Sequence, residues 1–211
     1  MRKSYQNLWL GGSGILRWKK GIRVGTGGHQ AYRLSVNDWA DLEHLYLRWA
    51  GDPGWPPDAR ARSAWNRLVQ TWQVGAWLGD AAVAVAEDGS EPVGYAALTL
   101  AVDHHPALGR AMEVGTFVAP THRGAGVNRQ LKLWSAEEAA RLGAQWLAAC
   151  IPVSNERAAR AFLKVFPNAM AHEASGPSAG PWRAYVKRRA FAAGEPVHLY
   201  VVRLNSDSHA T

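Results

Sequence analysis

The chain has almost no thiol: Cys150 is its one cysteine in 211 residues, so no internal disulfide can form. Cys150 lies in the apolar run from Trp146 to Ile151, which reads as a buried structural thiol rather than a nucleophile. Long hydrophobic runs are missing too, and none approaches the length a membrane-spanning helix requires. Arg2 and Lys3 imitate the start of a signal peptide, but Leu8-Trp9-Leu10 is cut short by Gly11 and Gly12. A cytoplasmic protein without membrane association is the expectation. Acidic residues are absent from positions 1–28, which hold six of the 24 basic residues and none of the 17 acidic ones. The remainder is close to neutral, so the net charge of +7 reports patches rather than an evenly basic body. Spaced metal ligands are scarce as well. Asp103-His104-His105 has no partners at metal-site spacing and reads as a solvated loop, so no metal is expected.

What is present describes a globular protein: 47% hydrophobic and 19% charged residues, with eleven tryptophans to supply packing surface. Residues 1–28 carry seven glycines and the unopposed positive charge, and read as a flexible basic arm. Its Trp9 and Trp18 are unusual for a free tail and suit docking on the body or on a partner. A folded domain is expected over residues 29–204, followed by a short tail, 205–211. Arg183, Lys187, Arg188 and Arg189 form a second basic cluster.

The stretch from Glu113 to Asn128 organises the domain. Its first half alternates like a strand, and Pro120, without an N–H, ends it. Gly124 and Gly126 then open a helical pattern with Val127, Leu131, Trp134 and Ala139 on one side. A strand feeding a glycine turn at a helix N-terminus is suited to an anion: free N–H groups and the helix dipole favour negative charge, and glycine admits it close to the backbone. Arg123 adds a positive charge beside the turn. Spacing alone leaves an anion site and an ordinary surface loop both open.

Around this stretch the remaining pattern is regular. Ala31 to Leu34 reads as a strand. Ser35 caps a helix whose stripe is Val36, Trp39, Leu42, Tyr46 and Trp49. A break at Gly51–Pro57 precedes a second helix from about residue 59 to about residue 72. A hairpin follows, with strands at Ala81–Ala86 and Val93–Val102. A loop through Asp103–Pro106 leads to the central strand. After the central helix come a strand at Gln145–Ile151, a capped helix from Ser154 to Lys164, and a strand near Asn168–His172. The segment Trp182–Phe191 is ambiguous, and Val197–Leu204 is a last strand.

The run Arg123-Gly124-Ala125-Gly126-Val127-Asn128, preceded by Phe117-Val118-Ala119-Pro120, resembles the acyl-CoA pyrophosphate loop of the GNAT superfamily of N-acetyltransferases. Arg123 and Gly126 match that pattern, and Asn128 stands where the family has a small residue. Pro92-Val93-Gly94-Tyr95-Ala96 resembles the family's second hairpin. Asn155-Glu156-Arg157-Ala158 with Phe162 resembles its second helix motif, and the order of elements over residues 30–204 agrees. The resemblance implies an α/β acyl-CoA N-acyltransferase fold: a mixed, mostly antiparallel sheet of about six to seven strands flanked by about four helices. It implies acetyl-CoA as cosubstrate, held by Phe117, Val118, Arg123, Gly124, Ala125, Gly126, Val127, Asn128 and Asn155. The implied partners are a small-molecule, peptide or RNA-borne amine, with weak nucleic-acid contact through the basic patches and a homodimer left open.

Direct acyl transfer to an amine needs proton removal, stabilisation of the carbonyl oxygen and alignment of two substrates; no nucleophilic Ser or Cys is required. Glu113 is the candidate general base. On an alternating strand it shares a face with Gly115 and Phe117, and Gly115 leaves a hole beside the carboxylate. A structural ion pair with Arg110 is the competing reading. The family's usual general acid is a Tyr after the helix aromatic, where Leu163 stands here; Tyr185, Tyr200 or solvent are its replacements. A CoA-binding or nucleic-acid-binding protein without catalysis is the alternative class.

Overall fold

The computed structural model describes residues 32–105, 107–173, 180 and 182–204. The N-terminal arm, the start of the domain at residues 29–31, the tail 205–211 and most of the loop after Glu173 lie outside the described residues.

Seven strands form one sheet in the order β1-β2-β3-β4-β5-β7-β6. They are β1 (Arg33–Val36), β2 (Ala81–Asp88), β3 (Glu91–His105), β4 (Gly109–Val118), β5 (Trp146–Pro152), β6 (Met170–Glu173) and β7 (Val197–Arg203). Every pairing is antiparallel except β4 with β5. Five α-helices cover the two faces: α1 (Trp39–Trp49), α2 (Arg62–Leu78), α3 (Val127–Arg141), α4 (Glu156–Val165) and α5 (Arg183–Ala193). This is the expected α/β architecture with one helix more than expected.

Each face buries its own core. On one side, α3 and α4 cover Met112 and Val114 of β4 with Val127, Leu131, Trp134 and Phe162. The stripe read from the α3 sequence is the buried stripe. On the other side, α1 and α2 enclose an aromatic cluster of Tyr46, Trp55, Trp65, Trp72, Tyr95 and Phe117. The Trp55 and Phe117 rings meet edge-on with centroids 4.7 Å apart, and Trp55 and Trp65 are tilted with centroids 5.0 Å apart. Such contacts contribute about 0.5–1.5 kcal/mol each beyond the area they bury. The other end of this second face is covered by α5, through Trp182, Tyr185 and Val186 on Ala111, Ala148, Leu199 and Val201.

Several local expectations are corrected. Ser35 and Val36 belong to β1, because the Ser35 hydroxyl donates to Glu87 across the sheet and Val36 pairs with Ala84. Asn37, at φ 55°, turns the chain, and α1 starts only at Trp39. Helix α2 runs on to Leu78, where Gly79 at φ 80° stops it. Its last turns expose Val74, Trp77 and Leu78, so no buried stripe marked them in the sequence. Residues 103–105 extend β3 instead of forming a loop. The ambiguous segment is helix α5.

Candidate active site

The parallel pair β4–β5 is a fork. Ala111, Met112 and Glu113 pair with Trp146, Leu147 and Ala148, and the ladder stops there. Beyond it β5 stays paired to β7 as far as Pro152. From Val114 to Val118, β4 keeps only β3 as neighbour among the described residues. A wedge thus opens between the two strands towards their C-terminal ends, with an unpaired backbone edge along β4. Such an edge can receive an extended ligand as a further strand would be received.

The glycine turn stands at the open end of the wedge. Pro120–His122 form a short 3₁₀ turn, and Gly124 and Gly126 follow at φ 88° and 90°, conformations that side chains rarely adopt. Gly126 is the N-cap of α3 without a side-chain cap bond, so the first-turn N–H groups are not closed off by a side chain. Ala125 is exposed, Val127 is buried in the core, and Asn128 is half-buried in the first turn. Across the wedge, Asn155 is the N-cap of α4 and its side-chain oxygen accepts from the Ala158 N–H at 3.1 Å.

Arg123 adjoins the turn, and its guanidinium is directed to the end of β4 and to the α1–α2 loop. Its Nε donates to the Val118 carbonyl at 3.0 Å, and its Nη2 pairs with Asp52 at 2.5 Å. It also lies 5.9 Å from the Phe117 ring centroid, so its charge ties the α1–α2 loop to the end of β4. This arrangement holds the Asp52 carboxyl below its ordinary range, against the opposing effect of desolvation.

The α3 side of the wedge carries a residue the sequence reading passed over. Lys132, 6% exposed, donates to Thr116 Oγ1 at 3.0 Å and to Asn128 Oδ1 at 3.1 Å. Its Nζ lies 5.7 Å from the Phe162 ring centroid. Burial pushes its ammonium down to about 8. The signal was available: Asn128, Lys132 and Ser135 recur at helical spacing beside the apolar stripe.

On the opposite face, Glu113 sits at the crotch of the fork, on the last pair of the β4–β5 ladder. Tyr185 Oη donates to one carboxylate oxygen, and Arg189 Nη2 pairs with the other at 2.8 Å. The structural reading with Arg110 fails, since Arg110 pairs with Asp80 at 2.6 Å. Desolvation raises the Glu113 carboxyl above the ordinary glutamate range, and Arg189 and Tyr185 oppose it. Gly115, next on the same face, is exposed, and a Cβ there meets no atom within 4 Å. The floor of an open cleft therefore lies beside the carboxylate, between the Phe117–Trp55 cluster and α5. Cys150, close to Glu113, has its thiol pushed up to about 12 by burial and by that carboxylate, so it stays protonated and is no nucleophile. No group of three metal-ligating side chains occurs among the described residues.

Of the two tyrosines considered for the missing acid, Tyr185 lies on the Glu113 face of the sheet, bonded to that carboxylate. Tyr200 is packed in the α3–α4 core, 6.0 Å from the Phe162 centroid.

A splayed parallel pair followed by a glycine turn and a helix defines the acyl-CoA acyltransferase class of α/β protein. Solved structures share the fold. Ribosomal-protein-alanine N-acetyltransferase from Brucella melitensis is 20% identical, with 81% of this chain and 99% of that chain covered at a TM-score of 0.58. YncA from Salmonella typhimurium, with its cofactor acetyl-CoA, is 20% identical over 86% and 98%, with a TM-score of 0.57. A phosphinothricin acetyltransferase from Sinorhizobium meliloti, in complex with acetyl-CoA, is 15% identical over 85% and 92%, with a TM-score of 0.56. No curated protein matches the sequence. The family model for the acetyltransferase (GNAT) family matches residues 38–166. The chain belongs to that family.

Proposed function

We propose that the protein moves the acetyl group of acetyl-CoA directly to a primary amine, with both substrates bound at once. The single observation that carries this reading is the placement of Glu113: a buried carboxylate at the crotch of the fork, beside an open floor at Gly115. Acetyl-CoA is the cosubstrate of the family, and the residues present fit it. A Cβ at Gly124 would meet no atom within 4 Å, Gly126 shares its left-handed backbone, and the β4 edge beyond Glu113 has no strand partner on the wedge side among the described residues. When bound, acetyl-CoA supplies the activated acyl carbon.

Each part has a role. N–H groups of Gly126, Val127 and Asn128 face the diphosphate, where the α3 dipole favours negative charge. The backbone of Phe117 and Val118 holds the pantetheine arm, and an N–H near Val118 offsets charge developing on the carbonyl oxygen. Asn155, from the far side of the wedge, closes on the arm with its amide N–H₂. Glu113 accepts the acceptor's ammonium proton, and its raised pKa brings it closer to the pH at which a general base works best. Tyr185 and Arg189 orient that carboxylate. Leu163 cannot donate a proton, so solvent protonates the leaving thiolate.

An RNA-borne amine is a second reading of the acceptor, favoured by one observation. Arg183, Lys187 and Arg188 are exposed on α5, the helix that brings Tyr185 and Arg189 to Glu113. An anionic acceptor would reach the cleft across this surface, and its binding would weaken steeply with salt. Release of free CoA from acetyl-CoA, screened against polyamines, peptides and aminoacyl-tRNA at two salt concentrations, tests both readings. Saturable acetyl-CoA binding with no acceptor-dependent release across these classes would favour a binding protein that has lost catalysis.

A further inference from the structure

Lys132 is a buried cation without a buried anion. Its amino group lies between the first turn of α3, the unpaired half of β4 and α4. This follows from its bonds to Asn128 Oδ1 and Thr116 Oγ1 and from the Phe162 ring beneath it. A helical side chain leans towards its helix N-terminus, so a lysine one turn inside α3 reaches back under the glycine turn. Among the described residues it makes no ion pair. The described carboxylates of β2, β3 and β4 have partners elsewhere: Glu87 pairs with Arg33, Asp88 with His122, Glu91 with Arg48, and Glu113 with Arg189 on the opposite face. Glu156, Arg157, Arg160 and Lys164 of α4 are exposed. A hydroxyl, an amide oxygen and a ring face offset part of the cost of such a charge, and burying it in this way favours the arrival of an anion nearby.

We propose that Lys132 is a positioning residue for acyl-CoA: it draws the Asn128 side-chain oxygen beneath the loop, turning the amide N–H₂ outward, and keeps there a buried positive charge that the bound diphosphate balances. The inference rests on the acyl-CoA reading of this loop. It also accounts for Asn128, the position at which the loop departs from its family's small residue. The side chain is held down by Lys132 and so does not crowd the phosphates.

The test compares acetyl-CoA affinity by calorimetry in the wild-type protein, Lys132→Met, Asn128→Ala and the double variant. Lys132→Met is expected to weaken binding on the order of tenfold or more, the scale of one charge–charge interaction in a half-buried site. The melting temperature of its free form should stay level or rise, because an apolar side chain replaces an unbalanced ion. A merely structural lysine would lower both together. The two substitutions should be non-additive, the double variant losing little beyond Lys132→Met. Affinity should also depend on pH. The free amine titrates near about 8 and the ligand favours its charged form, so wild-type binding weakens as the pH rises from about 7 to about 9.5, and Lys132→Met flattens that dependence. Wild-type binding that Lys132→Met leaves within about twofold, or a pH dependence it leaves intact, overturns the inference while the loop assignment stands. Should Lys132→Met fail to fold, Lys132→Gln keeps a donor to Asn128 and Thr116 without the charge, and it must still lose affinity and flatten the pH dependence. Wild-type protein that does not bind acetyl-CoA overturns the loop assignment and this inference together.

Discussion

Two ionisable side chains are buried against opposite faces of β4, and they are kept in opposite ways. Glu113 is balanced within the chain: Arg189 pairs with one carboxylate oxygen and Tyr185 donates to the other. Among the described residues, Lys132 is met by Thr116, Asn128 and an aromatic ring, with no ion-pair partner. The lesson is one of timing. Under the proposed roles, Glu113 is oriented by its own protein before a substrate arrives, whereas Lys132 waits for the ligand to balance its charge. Removing a partner of Glu113 should therefore change how the protein titrates, and removing Lys132 should change what it holds.

The comparison can be broken most severely at the glycine turn. Gly126→Asp places a carboxylate at φ 90° on the N-terminus of α3, opposed to a diphosphate by charge and by bulk. It should abolish the acetyl-CoA-induced rise in melting temperature while leaving the far-ultraviolet circular dichroism unchanged; a retained shift would place the cofactor elsewhere. Next in size is Glu113→Gln, which keeps the shape of the side chain and removes the base. Turnover should fall about 10²-fold or more with acetyl-CoA affinity unchanged. Activity within a few-fold of the parent would leave Glu113 as a structural anchor for α5.

Arg189→Met sharpens the same side. Arg189 holds the Glu113 pKa down against burial, so its loss lets that pKa climb. A base works only when ionised, so the acidic limb of the kcat/KM profile should move to higher pH and activity at low pH should fall first. A limb that stays in place would separate Glu113 from the rate. The smallest effect concerns Asp52→Ala, which releases Arg123 and the Gly54 N–H that Asp52 accepts at 2.7 Å. Denaturant unfolding should show a loss of about 1–3 kcal/mol, the cost of leaving hydrogen-bonded partners of a largely buried carboxylate unmade.

The sheet and the loop were legible in the sequence because their signals are local. Alternation in β4, the hairpin at Ala81–Val102 and the stripe Val127, Leu131, Trp134 and Ala139 each follow from the geometry of a single element. Glu113, Gly115 and Phe117 do share a face, as their spacing requires. The rest depended on what lies across the fold. A basic run at 183–189 hid a helix whose Tyr185 and Val186 are buried, since charge suggests a solvated face until a neighbour covers the other side. The spacing of Lys132 with Asn128 and Ser135 is local, but what that flank of α3 faces is not, because the Phe162 ring comes to it from α4. Arg123 matches its motif, but the Asp52 that captures its charge lies 71 residues away in the chain.

The Arg123 clamp gives the protein an internal hinge-pin. One guanidinium fastens the last turn of the β4 exit to the loop that carries Trp55, and Trp55 in turn packs on the Phe117 ring from the acceptor side. Under the proposed function, the wall that would meet the acceptor and the strand that would meet the cofactor are thereby cross-braced through Arg123. Retuning acceptor choice by rebuilding residues 51–57 would consequently disturb the donor side as well, so the two specificities cannot be altered as independent modules unless Asp52 and Arg123 are carried through unchanged.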